Sequence, residues 1–272
     1  MDEDTPYFTQ EDGLYIPSRF CRGYWSPDTL NGRIVCGLIG YAMDEAFGAP
    51  DLVPVRFTVD MLRLIPSAPL RIETEIVRSG RRAMFTRAQL WSGDAVLAQA
   101  SAIFVRASAN PKGATFQTPN WDVPPPQTLT SRPNPQFLDL RPIPAQPGTT
   151  MQDADAAQAA SRSHPEGRRY WISDPRRVVG SQDNSAFARL AALADFASPL
   201  ANGSAVGIEF INTDVTLYLH RMPVGEWFGF EFMKHNALDG IAIGECWLYD
   251  EVGPLGTSSV AAIANSPRRA GA

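Results

Sequence analysis

One pattern of elements occurs twice along this chain, and it limits the fold more than any single motif does. Each copy reads as a helix, a long strand ended by Pro, and three further strands separated by Pro- or Gly-containing turns, the copies being offset by roughly 155 residues. Such a duplication predicts an α+β protein of two equivalent units. The first copy opens at residues 30–48, LNGRIVCGLIGYAMDEAFG. Here Ile34, Leu38 and Ala42, together with Val35, Ile39, Met43 and Ala46, recur at the period of an amphipathic helix. Asn31 is placed to cap the first turn, and Gly48, followed by Pro50, to end the last. Gly37 and Gly40 each cost a helix about 1 kcal/mol relative to Ala, so close packing must compensate, and a sheet wrapped tightly around the helix is expected to supply it.

Past residue 53 the period changes to two. Val55, Phe57, Val59 and Met61 alternate with Arg56, Thr58 and Asp60, the signature of a half-buried strand, which Pro66 and Pro69 break. Further strands are predicted at 70–76, 82–91 and 96–106, and a short one within 7–25 leads into the helix. In the second copy a strand at 169–172 precedes a helix that opens near Asn184 and that Pro199 helps to end. Strands at 207–221, 227–234, 242–249 and 255–263 follow. Between the copies the composition shifts to Pro, Gln, Thr, Asn and Ala, with Pro124-Pro125-Pro126 the extreme, as in a linker. Its scattered Phe116, Trp121, Phe137 and Leu140 predict a path along the surface. The expected division is 1–107, a linker at 108–167, and 168–272.

The 272 residues carry a net charge of -5, so no basic field favours nucleic acid, and an anionic ligand would need a local Arg cluster. No apolar run approaches a membrane span, and the N-terminus is acidic rather than signal-like, which makes the cytoplasm the expected compartment. Cys21, Cys36 and Cys246 show neither disulfide nor zinc spacing and read as small buried hydrophobes. His164, His220 and His235 are far apart in sequence. No metal or redox cofactor is expected.

The motifs NGRIVCGLIGYA, VRSGRRAMFTRAQLW, LADFASP and NTDVTLYLHRMPVGEW, in this order, resemble the bacterial acyl-CoA thioesterase II family and its shorter actinobacterial relatives. The resemblance covers nearly the whole chain apart from the linker. It implies a double hotdog fold, two helices each wrapped by an antiparallel sheet. It also implies an acyl-CoA substrate, hydrolysed to a carboxylic acid and CoA without a covalent intermediate. In the family a helix-borne Asp, a strand-borne Thr and a Gln from the last strand hold the water. The Asp falls on Asp195, the Thr on Asn212, and the Gln at or near Ala261, which cannot orient water, so that Ser258 or Ser259 is a candidate substitute. Single hotdog proteins pair by association, and self-association of double hotdog protomers stays open.

Each candidate also has a plainer reading. Asp195 sits late in its helix, where the dipole disfavours a carboxylate by roughly 0.3–1 kcal/mol, so it is either a general base at the sheet interface or a residue turning the chain before Ser198-Pro199. Asn212, Asp214 and Thr216 alternate and are expected on one face, lining a cleft or facing solvent. Asn31-Gly32-Arg33 offers helix N-terminal amides to a thioester carbonyl, or simply caps the helix. Arg78, Arg81 and Arg82 surround a turn and either meet CoA phosphates or are solvated. His220-Arg221 reads as a structural pair. The function so implied is thioester hydrolysis. The rivals are a non-catalytic acyl-CoA or lipid binder, favoured by Ala261, and a hotdog hydratase or dehydratase, which needs an Asp/His pair.

Overall fold

The helix predicted around Gly37 and Gly40 forms, and what presses on those glycines is a second helix. The computed structural model describes residues 5–132, 138–144, 168–180, 183–204 and 207–265. In chain order, β1 (Phe8–Glu11) and β2 (Leu14–Pro17) form a hairpin that leads to α1 (Gly32–Phe47). The strands β3 (Leu52–Met61), β4 (Arg71–Ser79), β5 (Ala83–Ser92) and β6 (Ala95–Arg106) complete the first half. Then come β7 (Asp139–Pro142), β8 (Arg169–Ser173), α2 (Ala186–Ala194) and α3 (Ala197–Asn202). The short strands β9 (Gly203–Ser204), β10 (Gly207–Ile208) and β11 (Phe210–Asn212) precede β12 (Asp214–Leu219), β13 (Phe228–Leu238), β14 (Ile241–Asp250) and β15 (Gly253–Ala264). No described helix is long and apolar enough to cross a membrane.

Asn31 caps α1, its side chain accepting the Arg33 N–H at 3.1 Å, and Gly48 closes it through an N–H donated to the Asp44 carbonyl at 2.7 Å. Ser185 caps α2, accepting the Ala188 N–H at 3.0 Å. A Cβ added at Gly37 would lie 2.7 Å from the Ala192 Cβ, and one at Gly40 2.5 Å from the Ala191 Cβ. The glycines therefore admit α2, where the sequence reading expected the sheet. Contacts run from Gly32 at Asp195 through Gly37 at Ala192 to Gly40 at Ala191, so the helices are antiparallel and the start of α1 meets the end of α2.

An antiparallel sheet of 11 strands wraps this pair in the order β4-β5-β6-β3-β12-β15-β14-β13-β8-β7, with β11 also paired to β15. The four strands on either side of the β3–β12 seam, which joins the halves edge to edge, are arranged symmetrically, and β8 and β7 extend the second half beyond them. Thr58 lies opposite Thr216, and their hydroxyls hydrogen-bond at 3.1 Å across a sequence separation of 158. Equivalent residues of the repeat thus meet on a pseudo-two-fold axis, giving the double hotdog arrangement. Phe57 of β3 and Phe187 of α2 meet edge to face at 5.4 Å inside it, and all three cysteines are buried and free.

Three details differ from the sequence reading. Pro199 does not end the second helix; α2 stops at Ala194, and Pro199 sits in the first turn of α3, where a missing N–H leaves no helical bond unmade. The stretch between the halves is not all irregular, since β7 adds an edge strand to the second half of the sheet. The first residues belong partly to the second half: the N–H groups of Tyr7 and Phe8 donate to Arg177 and Val178 carbonyls, each at 2.9 Å. Trp121 does follow the surface, stacked on Tyr249 at 4.4 Å over Gly229, where a Cβ would strike the Trp121 ring. Phe116 is exposed, and Phe137 and His164 lie outside the described residues.

Candidate functional site

Where the start of α1 meets the end of α2, a cavity of about 310 Å³ opens, walled by Tyr24, Trp25, Leu64, Phe196, Phe210 and Ile263. Asp195 follows the last residue of α2 and lines the cavity, and a side chain at Gly32 would come 2.7 Å from its Oδ2, so only glycine leaves it room. Asn212 Nδ2 donates to Asp195 Oδ1 at 2.7 Å, and the Arg33 backbone N–H also hydrogen-bonds the carboxylate. Burial raises the Asp195 pKa from 3.8 to about 7, against the opposing pull of the Asn212 hydrogen bond, the Arg33 charge and the Arg33 amide. A carboxylate so placed is ionised in part near neutrality and is basic enough to take a proton from water. Its own helix dipole disfavours it, but the positive end of α1 faces it.

The alternation of Asn212, Asp214 and Thr216 does not put them on one face. Asn212 pairs with Ala262 and Thr216 with Ser259, four residues of one strand against three of β15, so a bulge lies between. The bulge turns Asn212 inward to Asp195. Asp214 and Thr216 face outward: Asp214 Oδ1 accepts the Ala261 N–H at 2.6 Å, and Thr216 holds Thr58. Neither lines the cavity.

Ser258 and Ser259 are likewise elsewhere. Ser258 is buried and its Oγ donates to the Ala194 carbonyl at 2.8 Å, tethering the end of α2, while Ser259 donates to Glu245 at 3.1 Å on the opposite face. Ala261 shares that outer face between the buried Val260 and Ala262, so a longer side chain there points away from Asp195. Ala261→Gln is therefore expected to leave thiol-ester turnover unchanged and stability within about 0.5 kcal/mol, checked by assay and urea unfolding. The position facing Asn212 is Ala262.

Asn31, Gly32 and Arg33 do line the cavity, but the Arg33 side chain turns inward to Asp174, at 2.6 Å, instead of toward a ligand. Arg78, Arg81 and Arg82 sit at the β4–β5 turn, at the Leu52 and Arg106 end of the sheet, whereas Met61 at the other end of β3 reaches the cavity. The cation at the mouth is Arg63, which the sequence reading missed; its only signal is its place just past the end of β3, between the exposed Leu62 and Leu64. Ser198, also missed, is buried in the cavity wall. His220 bonds the Leu255 carbonyl at 3.1 Å and Arg221 holds Asp250 with two bonds, both structural as expected.

Among the described residues the two-fold repeat produces no second such site. Shifted by the 158 residues that separate Thr58 from Thr216, Asn212 corresponds to Pro54 and Ala262 to Phe104, and these two also face each other beside a bulge. Pro54 has no donor, and the buried Phe104 ring fills the space that Ala262 leaves.

Comparison with curated proteins finds no match. Among solved structures, a tesB protein of Mycobacterium avium subsp. paratuberculosis superposes with a TM-score of 0.67 at 14% identity, over 94% of this chain and 96% of its own. An acyl-CoA thioesterase II of Mycobacterium marinum gives 0.63 at 18%, over 95% of each chain. A hot dog protein from Alicyclobacillus acidocaldarius gives 0.66 at 17%, over 95% and 96%. At these identities the likeness speaks for the fold. The sequence itself goes further: residues 21–105 match the acyl-CoA thioesterase N-terminal domain and residues 121–262 the C-terminal domain, and the chain belongs to that thioesterase family.

Proposed function

We propose that this thioesterase hydrolyses an acyl-CoA with a water that Asp195 activates. The observation that carries the reading is the Asp195 carboxylate, with its pKa raised to about 7, held by Asn212 at 2.7 Å in an apolar cavity. The acyl chain lies among the aromatic and aliphatic walls, and Arg63 at the rim meets a CoA phosphate. The Gly32 N–H, at the first position of α1, has no intrahelical acceptor and polarises the thioester oxygen. Water oxygen attacks the carbonyl carbon as Asp195 takes its proton. The C–S bond then breaks, the proton passes to the thiolate, and a carboxylic acid and CoA leave. Three buried, unpaired cysteines support a reducing, cytoplasmic setting.

The missing family Gln favours one competing reading, a protein that binds acyl-CoA without cleaving it. A hydratase would need a His over the acyl chain, and no described His lines the cavity. Incubation with acyl-CoAs of graded chain length should release free thiol in proportion to protein. Tight binding without thiol would select the binder.

A further inference from the structure

Most polar side chains around the cavity are already committed within the protein. Asn31 accepts the Arg33 N–H, the Arg33 guanidinium holds Asp174 and Tyr7, Asn212 donates to Asp195, and Thr213 Oγ1 donates to the Ala261 carbonyl at 3.2 Å. Ser198 differs from these. It is 4% exposed, it lines the cavity, and its Oγ makes no hydrogen bond to a described residue. A helical serine ordinarily donates to the carbonyl four residues back, here Ala194, but that oxygen already accepts Ser258 Oγ at 2.8 Å. Asp195 and Phe196 keep helical backbone angles between α2 and α3, and the Ser198 N–H donates to the Asp195 carbonyl at 2.9 Å. Ser198 is thereby fixed one turn after the base, in the wall of the same cavity. Its hydroxyl opens onto the cavity, where water is the partner available to it.

We infer that Ser198 Oγ is the second protein ligand of the attacking water, supplying the orientation that the family draws from a Gln absent here. The inference rests on the hydrolase reading above. One O–H of the water donates to Asp195 and the other to Ser198 Oγ, which leaves a lone pair directed at the carbonyl carbon. During attack the first proton passes to Asp195, and Ser198 neither gains nor loses one.

The test compares thiol release, unfolding and pH profile for the parent, Ser198→Ala, Ser198→Thr and Asp195→Asn. Ser198→Ala should lower kcat by roughly 10²-fold, the scale for a misplaced reactant, with KM unchanged. Its acid limb should not move, because the base is intact, and its unfolding midpoint should not fall, because the hydroxyl holds no protein group. Ser198→Thr, which keeps the hydroxyl, should recover most of the turnover. Parental kcat in Ser198→Ala beside a crippled Asp195→Asn would overturn the inference and leave the hydrolase reading standing. So would a loss of kcat that comes with a lowered midpoint and is not recovered by Ser198→Thr. A parent that binds acyl-CoA and releases no thiol would overturn both.

Discussion

Asp195→Asn is expected to slow thiol release by about 10²–10⁴-fold, the scale of lost acid–base catalysis, without weakening the fold. The substitution keeps an oxygen for the Asn212 Nδ2 donor, which now stands 2.7 Å from Asp195 Oδ1, but removes the basic lone pairs. The parent should show an acid limb in kcat with an apparent pKa of about 7, activity being present above it and lost below it. The stability effect runs the other way. Because the folded pKa lies above the unfolded value near 3.8, the favourable contribution of the protonated carboxyl group is fully present below 3.8 and is lost as pH rises through about 7. A neutral amide carries no such loss, so the unfolding midpoint of Asp195→Asn should exceed that of the parent at pH 8 and match it at pH 3. A lowered midpoint at pH 8 with turnover intact would make Asp195 a structural residue at a helix end. Measuring acyl-CoA affinity on the same variant separates lost chemistry from lost binding.

What the sequence made legible follows from range. The 3.6-residue period, the Asn31 cap and the Gly48 stop are local, and α1 appears within a residue of its expected bounds. The repeat carried the two-fold arrangement of the sheet. Asp195 stood out through the family resemblance, with its place late in a helix, against that helix's dipole, as a secondary sign; what receives it is the start of a different helix, which no local pattern displays. The bulge after Asn212 was invisible for a related reason: period-2 alternation assumes an unbroken ladder, and one extra residue sends Asn212 and Asp214 to opposite faces. Three arginines at a turn show density of charge, but only strand register says which end of the sheet they occupy. Ser198 was masked by Pro199, which read as a helix stop rather than as the first turn of another.

Arg33→Met should be the more damaging change to the fold, costing about 3–5 kcal/mol, the usual price of stranding one member of a buried ion pair. Arg33 Nη1 donates to Asp174 at 2.6 Å, Nη2 donates to the Tyr7 hydroxyl at 2.7 Å, and that hydroxyl donates to Asp174 at 2.8 Å. Both charged side chains are 4% exposed, and burial holds the Tyr7 phenol well above its ordinary pKa. The triangle joins the N-terminal segment, α1 and the chain beyond β8, so leaving Asp174 uncompensated loosens three segments together. Replacing both charges, as Arg33→Met with Asp174→Leu, should recover part of the loss, because no charge is left stranded and only the neutral Tyr7 hydroxyl loses its partners. Urea midpoints of the parent, the single variant and the double variant decide the point, and a single variant within about 1 kcal/mol of the parent would refute it. The site should register the same change by another route. The Arg33 charge lowers the Asp195 pKa, whereas the Arg33 amide that bonds the carboxylate belongs to the backbone and stays. In the folded fraction of Arg33→Met the acid limb should therefore move to higher pH while turnover above that limb persists, a separation that unfolding alone would not produce.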